Sequence, residues 1–351
     1  MKKIGILTIT RTDNNGTDLQ ALAMLNLFRK NGAQQIELIN YKCNRIESRL
    51  KLLSLSSLKD IIRFPVRLYM SISHESFRRR YFIRSKNCYC SNTIKNIDYD
   101  IIITGSDQIW NVHNTGGDLS FYLPFKTKAK KFAYAASLGR TNLKEWSYKY
   151  NIEKYLQDFE CVSVREESGV DALNQIGIKA RYDLDPILMG DKKDWAHLLT
   201  NNAEEKYILV YRVGTNKMMF QYARKIANIK GLKIIFCDPS WHNVKDMESH
   251  RFVGVEKWLN LVNNANIIIT DSYHCISFAL LFKKDIRVFL LENSIESNSR
   301  MTNLMMRVGL SNNIITCLDC DEPQIDWDEV GDRINTLKDN SEKYVRRILE
   351  S

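Results

Sequence analysis

Short apolar runs alternate with helix-like patterns from one end of this 351-residue chain to the other, and that alternation restricts the fold more than any other feature. A strand covered on both faces reads as a continuous apolar run, and a parallel neighbour needs a crossover long enough to hold a helix. Repeating that unit predicts α/β architecture with mostly parallel sheets, in two successive doubly wound domains. Strands are expected at 3–9, 36–41, 100–104, 131–136 and 161–164, then at 207–213, 232–236, 267–270 and 286–290. The clearest helices are 18–28, which stops at Asn31-Gly32, and 166–177, 217–230, 255–263 and 330–349. The turn-rich stretch from Asp183-Leu184-Asp185-Pro186 to Gly190-Asp191 reads as a boundary. The expected division is an N-terminal domain over 1–186, a C-terminal domain over 187–326 and a closing helix over 327–351.

Two doubly wound domains imply a cleft, because ligands of such sheets collect outside the carboxyl ends of the strands. Polar motifs fall at those ends with regularity. Asn14-Asn15-Gly16-Thr17 follows the first strand, where a glycine lets backbone amides approach an anion or sugar, or where the turn simply caps a helix. Gly105-Ser106-Asp107-Gln108-Ile109-Trp110-Asn111 follows the strand at 100–104. Asp107 suits a general base for a sugar hydroxyl, Gln108 and Asn111 suit hydroxyl contacts, and Trp110 offers a flat face to a sugar ring. The alternative is capping by Ser106 or Asp107 with Trp110 in the core. Arg165 stands where the strand at 161–164 gives way to a helix. Its planar fork suits phosphate or carboxylate, or an ion pair with Glu166 or Glu167, which otherwise decorate the helix start.

Thr270-Asp271-Ser272-Tyr273-His274 carries the strongest local signal. An apolar strand delivers it and a helix follows, so His274 lies in a first helical turn where free amides and the dipole favour an anion. Asp271 or Ser272 is the expected N-cap. Asn298-Ser299-Arg300 precedes a helix expected at 301–308, and Arg300 supplies a second cation. His242 follows the strand at 232–236 and is a weaker candidate; His74, His113, His197 and His250 lack comparable context.

Bulk properties narrow the partners. The net charge of +10 admits nucleic acid, small anions or an anionic membrane face. No nucleic-acid motif accompanies it, so nucleic acid is not expected. Basic residues concentrate between Arg45 and Lys95, interleaved with apolar ones; such a segment lies on a membrane surface, or forms a helical hairpin with its basic face in water. No apolar run approaches the roughly 18–20 residues that cross a bilayer. Eight cysteines without a second metal-ligand pair beside Cys317 and Cys320 suggest free thiols in the cytoplasm and no metal. Neither G-x-G-x-x-G nor a Walker phosphate loop is present, so nucleotide binding by those routes is unsupported.

Taken together, Asn14–Ala21, Gly105–Asn111, Tyr134–Gly139, Val162–Glu166, Asp185–Leu188 and Thr270–His274 resemble, in order, the motifs of the polysaccharide pyruvyl transferase family. The resemblance implies two Rossmann-like domains arranged as in GT-B glycosyltransferases, and transfer of a pyruvyl group from phosphoenolpyruvate to a sugar as a ketal. The acceptor would be a lipid-linked oligosaccharide or polysaccharide at the inner face of the cytoplasmic membrane, and no cofactor is implied. Arg165, Ser272, Tyr273, His274 and Arg300 (or Lys283 or Lys284 in its place) are the implied donor contacts, expected to converge in the cleft. Asn15, Gly16, Asp107, Gln108, Trp110 and Asn111 would meet the acceptor. Where other members carry arginine in the S-x-H pattern, this chain has Tyr273. His274 is the expected acid and Asp107 the expected base. The rival readings are a GT-B glycosyltransferase using a nucleotide sugar, and a membrane-associated saccharide-binding module without turnover.

Overall fold

The structure, a computed structural model, describes residues 1–49, 58–139, 141–200, 205–214, 216–238, 244–292 and 295–351. Contacts divide the chain into two compact units: Met1–Met189 joined by Leu337–Ser351, and Gly190–Thr336.

The first unit opens with β1 (Lys3–Leu7), α1 (Asn15–Lys30), β2 (Gln35–Leu38), α2 (Asn44–Arg49) and α3 (Leu58–Tyr81). It continues through β3 (Ile101–Gly105), α4 (Val112–Thr115), β4 (Lys130–Ala136), α5 (Leu143–Tyr150) and α6 (Ile152–Leu156). β5 (Phe159–Val164), α7 (Glu167–Gln175), β6 (Ala180–Tyr182) and α8 (Pro186–Met189) complete it. All six strands pair in parallel, in the order β2-β1-β3-β4-β5-β6. The central strands are apolar and buried on both faces because helices cover both, as β3 shows with Ile101, Ile102 and Ile103.

The second unit runs β7 (Tyr207–Tyr211), α9 (Lys217–Lys230), β8 (Lys233–Asp238), β9 (Glu248–Arg251), α10 (Val255–Asn264) and β10 (Ile267–Thr270). α11 (Tyr273–Leu281), β11 (Asp285–Val288) and α12 (Ile295–Arg307) follow, and α13 (Trp327–Glu350) ends the chain. Its parallel sheet has the order β11-β10-β7-β8-β9. Residues 337–351 of α13 return to the first unit, where the Tyr344 hydroxyl lies 2.9 Å from the Ala133 carbonyl and the Leu184 amide donates to Ser341 Oγ at 2.9 Å.

The α/β class with two mostly parallel sheets is as the alternation predicts. The two strands the pattern does not reveal, β6 and β9, lie at sheet edges and read Ala-Arg-Tyr and Glu-Ser-His-Arg. An edge strand pairs on one side only and need not bury its side chains, so it carries no apolar signature. Arg300 does not open its helix but lies inside α12.

Candidate active site

In each sheet the strand order reverses at one place, and the loops leaving the carboxyl ends there diverge to opposite faces and leave a crevice. In the first unit the reversal lies between β1 and β3, in the second between β7 and β10.

At the first switch point the loop after β1 ends in α1, capped by Asn14, whose side-chain oxygen accepts from the Thr17 amide at 3.1 Å. The turn after β3 is possible only with glycine: Gly105 has φ +127°, and a Cβ there would stand 2.1 Å from the Tyr134 carbonyl oxygen. Asp107 follows, buried, with Oδ2 accepting from the Thr17 hydroxyl at 2.8 Å and Oδ1 from the Gln108 amide at 2.7 Å. Arg165, at the end of β5, is 1% exposed. It donates from Nη1 to Asp185 at 2.8 Å, and its Nη2 lies 3.5 Å from Asp107. Asp185 accepts also from the Ile187 amide at 3.0 Å. One guanidinium thus faces two carboxylates out of water, which is how buried charges persist.

At the second switch point Asp271, at the end of β10, reaches across to the loop after β7. It accepts from the Val213 amide at 2.6 Å and the Gly214 amide at 2.9 Å, and burial pushes its carboxyl pKa up. Ser272 caps α11, its side chain accepting from the Cys275 amide. His274 is the second residue of that helix, half-buried, its ring edge-on to Tyr273 with centroids 5.9 Å apart. The Arg300 guanidinium lies 5.8 Å over the same Tyr273 ring. Asn298, two residues before Arg300 on α12, clamps the loop after β11 by bonding both the amide and the carbonyl of Leu291, at 2.8 and 2.9 Å. Lys283 and Lys284 follow the carboxyl end of α11, about 13 Å along its axis from the first turn. Of the three candidate cations, Arg300 is therefore the one that meets the start of α11, over the Tyr273 ring.

The polar motifs of both units thus lie at the two switch points, the positions where α/β sheets hold ligands. A sequence model of the polysaccharide pyruvyl transferases matches residues 14–289, which span both. The chain belongs to the polysaccharide pyruvyl transferase family. No curated protein sequence is detectably similar to it. Among solved structures it is similar to Staphylococcus aureus MnaA in a structure with UDP, at 13% identity and TM-score 0.50 over 99% of this chain and 91% of that one. It is also similar to Anabaena HepE in complex with UDP and glucose, at 9% identity and TM-score 0.50 over 98% of this chain and 99% of that one. At such identities the likeness shows the fold, two successive Rossmann-like units of GT-B type.

Several residues expected in this pyruvyl transferase site are placed differently by the structure. Trp110 is fully buried, stacked on Tyr122 at 5.3 Å with its Nε1 donating to the Phe121 carbonyl, so it offers no face to a sugar. Asn15 and Gly16 lie inside the first turn of α1 rather than in a loop, because Asn14 starts the helix three residues earlier than expected. Neither Ser106 nor Asp107 caps a helix; Asn111 caps α4, and its Nδ2 donates to Gln108 Oε1 at 2.7 Å. Glu166 and Glu167 stand at the start of α7 as expected, Glu167 in its first turn and Glu166 at its N-cap, where it is buried and accepts from the Ser137 hydroxyl. Arg165 is no surface fork, since the motifs after β3 and before α8 bring Asp107 and Asp185 to it. His242 lies outside the described residues. Among the described residues no cluster of three or more His, Cys, Asp or Glu is set to hold a metal.

The aromatic platform that Trp110 does not provide is found nearby. Segments following β2, β3 and β4 line a groove of about 1170 Å³ that includes Arg45, His113, Asp118, Trp146 and Tyr150. The Trp146 and Tyr150 rings lie 4.1 Å apart, and Trp146 rests on Gly117, where a Cβ would come within 2.4 Å of the indole. Asp118 accepts the Tyr41 hydroxyl at 2.5 Å. The sequence signal was Gly116-Gly117-Asp118 with an aromatic pair four apart on a helix; no strand end marks it.

Proposed function

We propose that the protein transfers the pyruvyl group of phosphoenolpyruvate to a sugar of a lipid-linked oligosaccharide or polysaccharide, closing a cyclic ketal across two hydroxyls. The observation that carries the reading is His274, a titratable ring in the first turn of a capped helix with Arg300 over the neighbouring Tyr273 ring, at a switch point of a polysaccharide pyruvyl transferase family member. Helix-terminal amides and a guanidinium suit the donor's carboxylate and phosphate.

The protonated imidazole of His274 gives its proton to the methylene carbon, C3, and C2 becomes electrophilic. A sugar hydroxyl adds to C2 and gives up its proton to a base, the role that the family resemblance implies for Asp107, whose Oδ2 accepts the Thr17 hydroxyl. The C2–O bond to phosphate breaks, the neighbouring hydroxyl adds in its place, and the departing phosphate takes up that second proton. Ser272 fixes the helix end that carries His274, and Tyr273 aligns Arg300 through the face of its ring. Arg165 holds Asp107 in place through its Nη2, 3.5 Å from the carboxylate. Gln108 and Asn111 brace the same turn. The groove of Trp146, with Asp118 and Arg45 in its lining, suits further sugars of the acceptor, stacked on the indole face. The scheme draws on no metal or cofactor.

The test is phosphate release from phosphoenolpyruvate with lipid-linked galactose, glucose and mannosamine acceptors. Acceptor-dependent release by the wild type, with Trp146→Ala raising the acceptor KM several-fold at little cost in kcat, supports the reading. No release with any acceptor, together with a thermal shift from a nucleotide sugar, overturns it in favour of a glycosyltransferase.

A further inference from the structure

Among the described residues eleven large hydrophobic side chains are exposed, and five of them lie on α3: Ile61, Ile62, Leu68, Tyr69 and Ile72, each between 37% and 63% exposed. Their spacing of 1, 6, 1 and 3 residues places them on one stripe of a 3.6-residue helix. Arg79 and Arg80, seven and eight residues beyond Ile72, continue that stripe and are exposed. The opposite face buries Met70, His74, Phe77 and Arg78. Polarity is inverted relative to an ordinary surface helix, which turns its apolar stripe inward.

Asp18 of α1 explains why the helix cannot roll over. His74 Nδ1 lies 2.7 Å from Asp18 Oδ2, and Arg78 Nε donates to Asp18 Oδ1 at 2.8 Å while its Nη2 reaches the Thr12 carbonyl. The Asp18 and His74 side chains are fully out of water and that of Arg78 nearly so. Turning the apolar stripe inward would strand a buried carboxylate without its partners, which is strongly unfavourable. The fold therefore holds five apolar side chains in water, ending in two guanidiniums.

We propose that this face of α3 docks on the anionic face of a lipid bilayer. An interfacial helix needs an apolar stripe to enter the acyl boundary and cations to meet the headgroups, and both are on this face. Charge decides against a second copy of the chain. A two-fold pairing would set Arg79 and Arg80 of both copies in one interface, with Glu75 as the acidic side chain at its edge. Glu75 is already bonded to Arg84 at 2.9 Å and to Arg79 at 3.3 Å. No described helix is long and apolar enough to cross a membrane, so the contact is peripheral.

The experiment is flotation of the full chain with vesicles of phosphatidylcholine alone or with 30 mol% phosphatidylglycerol (about that fraction gives an anionic surface). These vesicles contain neither donor nor sugar, so the outcome is independent of the transferase reading. Wild type should float with the anionic vesicles and weaken with salt. Ile62→Asp with Ile72→Asp should lose at least about tenfold in binding, and Arg79→Ala with Arg80→Ala about fivefold per arginine on anionic vesicles only. Wild type left at the bottom of the gradient, or flotation indifferent to both pairs, overturns the proposal. So does a dimer by light scattering that Ile62→Asp dissociates, since the face would then be a contact between copies.

Discussion

At the first switch point Arg165, Asp107 and Asp185 face one another out of water; at the second, His274 stands half-buried in a helix's first turn with Arg300 across the ring of Tyr273. Both places follow from the same topological reversal, and both are built on loops leaving parallel strands. They differ in how their charges are balanced. In the first the protein supplies both signs, so the residues hold each other and the turn after β3. In the second, an imidazole sits among helix-terminal amides, a guanidinium lies over the neighbouring Tyr273 ring, and the carboxylate of Asp271 is spent on the Val213 and Gly214 amides. A self-balanced cluster gives rigidity, whereas a site of one sign favours an incoming anion.

Mutations should separate the two. The largest effect on turnover is expected for His274→Ala, which should lower kcat by about 10²–10⁴-fold while leaving the melting temperature near that of the wild type. Phosphate release and calorimetry on one preparation would show whether the residue serves chemistry alone. Arg165→Ala should do the reverse of sparing the fold. Two buried carboxylates lose their cation, and urea denaturation should report a loss of about 3–5 kcal/mol. Arg165→Lys should recover part of that stability, because it restores the charge without the fork.

Asp271→Ala is smaller, about 1.5–3 kcal/mol, since two amides bonded to a carboxylate are left unpaired. Hydrogen exchange at Val213 and Gly214 should rise with it, and unchanged protection there would show that the loop after β7 is held by other contacts. The last effect, read only as a pH dependence, concerns Asp183 just after β6, beside Arg181 at 2.9 Å. Burial pushes its carboxyl from the ordinary 3.8 up to about 6. Between those values the folded chain keeps a proton that the unfolded chain has released. Stability from this group therefore falls as pH rises through the window and is flat above it. Asp183→Asn should flatten that part of the stability-versus-pH curve, and an unaltered slope would assign it to another group.

Much of this was legible before any coordinates. The strand at 267–270 and the helices at 217–230 and 255–263 were readable because uninterrupted apolar runs and 3.6-residue patterns leave no competing conformation. His274 was legible because strand, cap and helix start are adjacent in sequence. Trp110 was misread because an aromatic residue among polar ones looks alike whether it faces solvent or the core; the nearby Tyr122 and Phe121 decided the matter. His74 carried no signal, its partner Asp18 being fifty-six residues away on another helix.

By itself the sequence determined the α/β class, the parallel sheets and which loops carry polar groups, because periodicity and capping act over a few residues. Only the tertiary structure decided which charges meet. Arg165 found Asp185 and Asp107, twenty and fifty-eight residues away, and Asp18 drew His74 and Arg78 inward so that the apolar stripe of α3 faces water. Pairing of buried charges is set by distance in space, and burial makes each such pair strong enough to overrule what local pattern prefers.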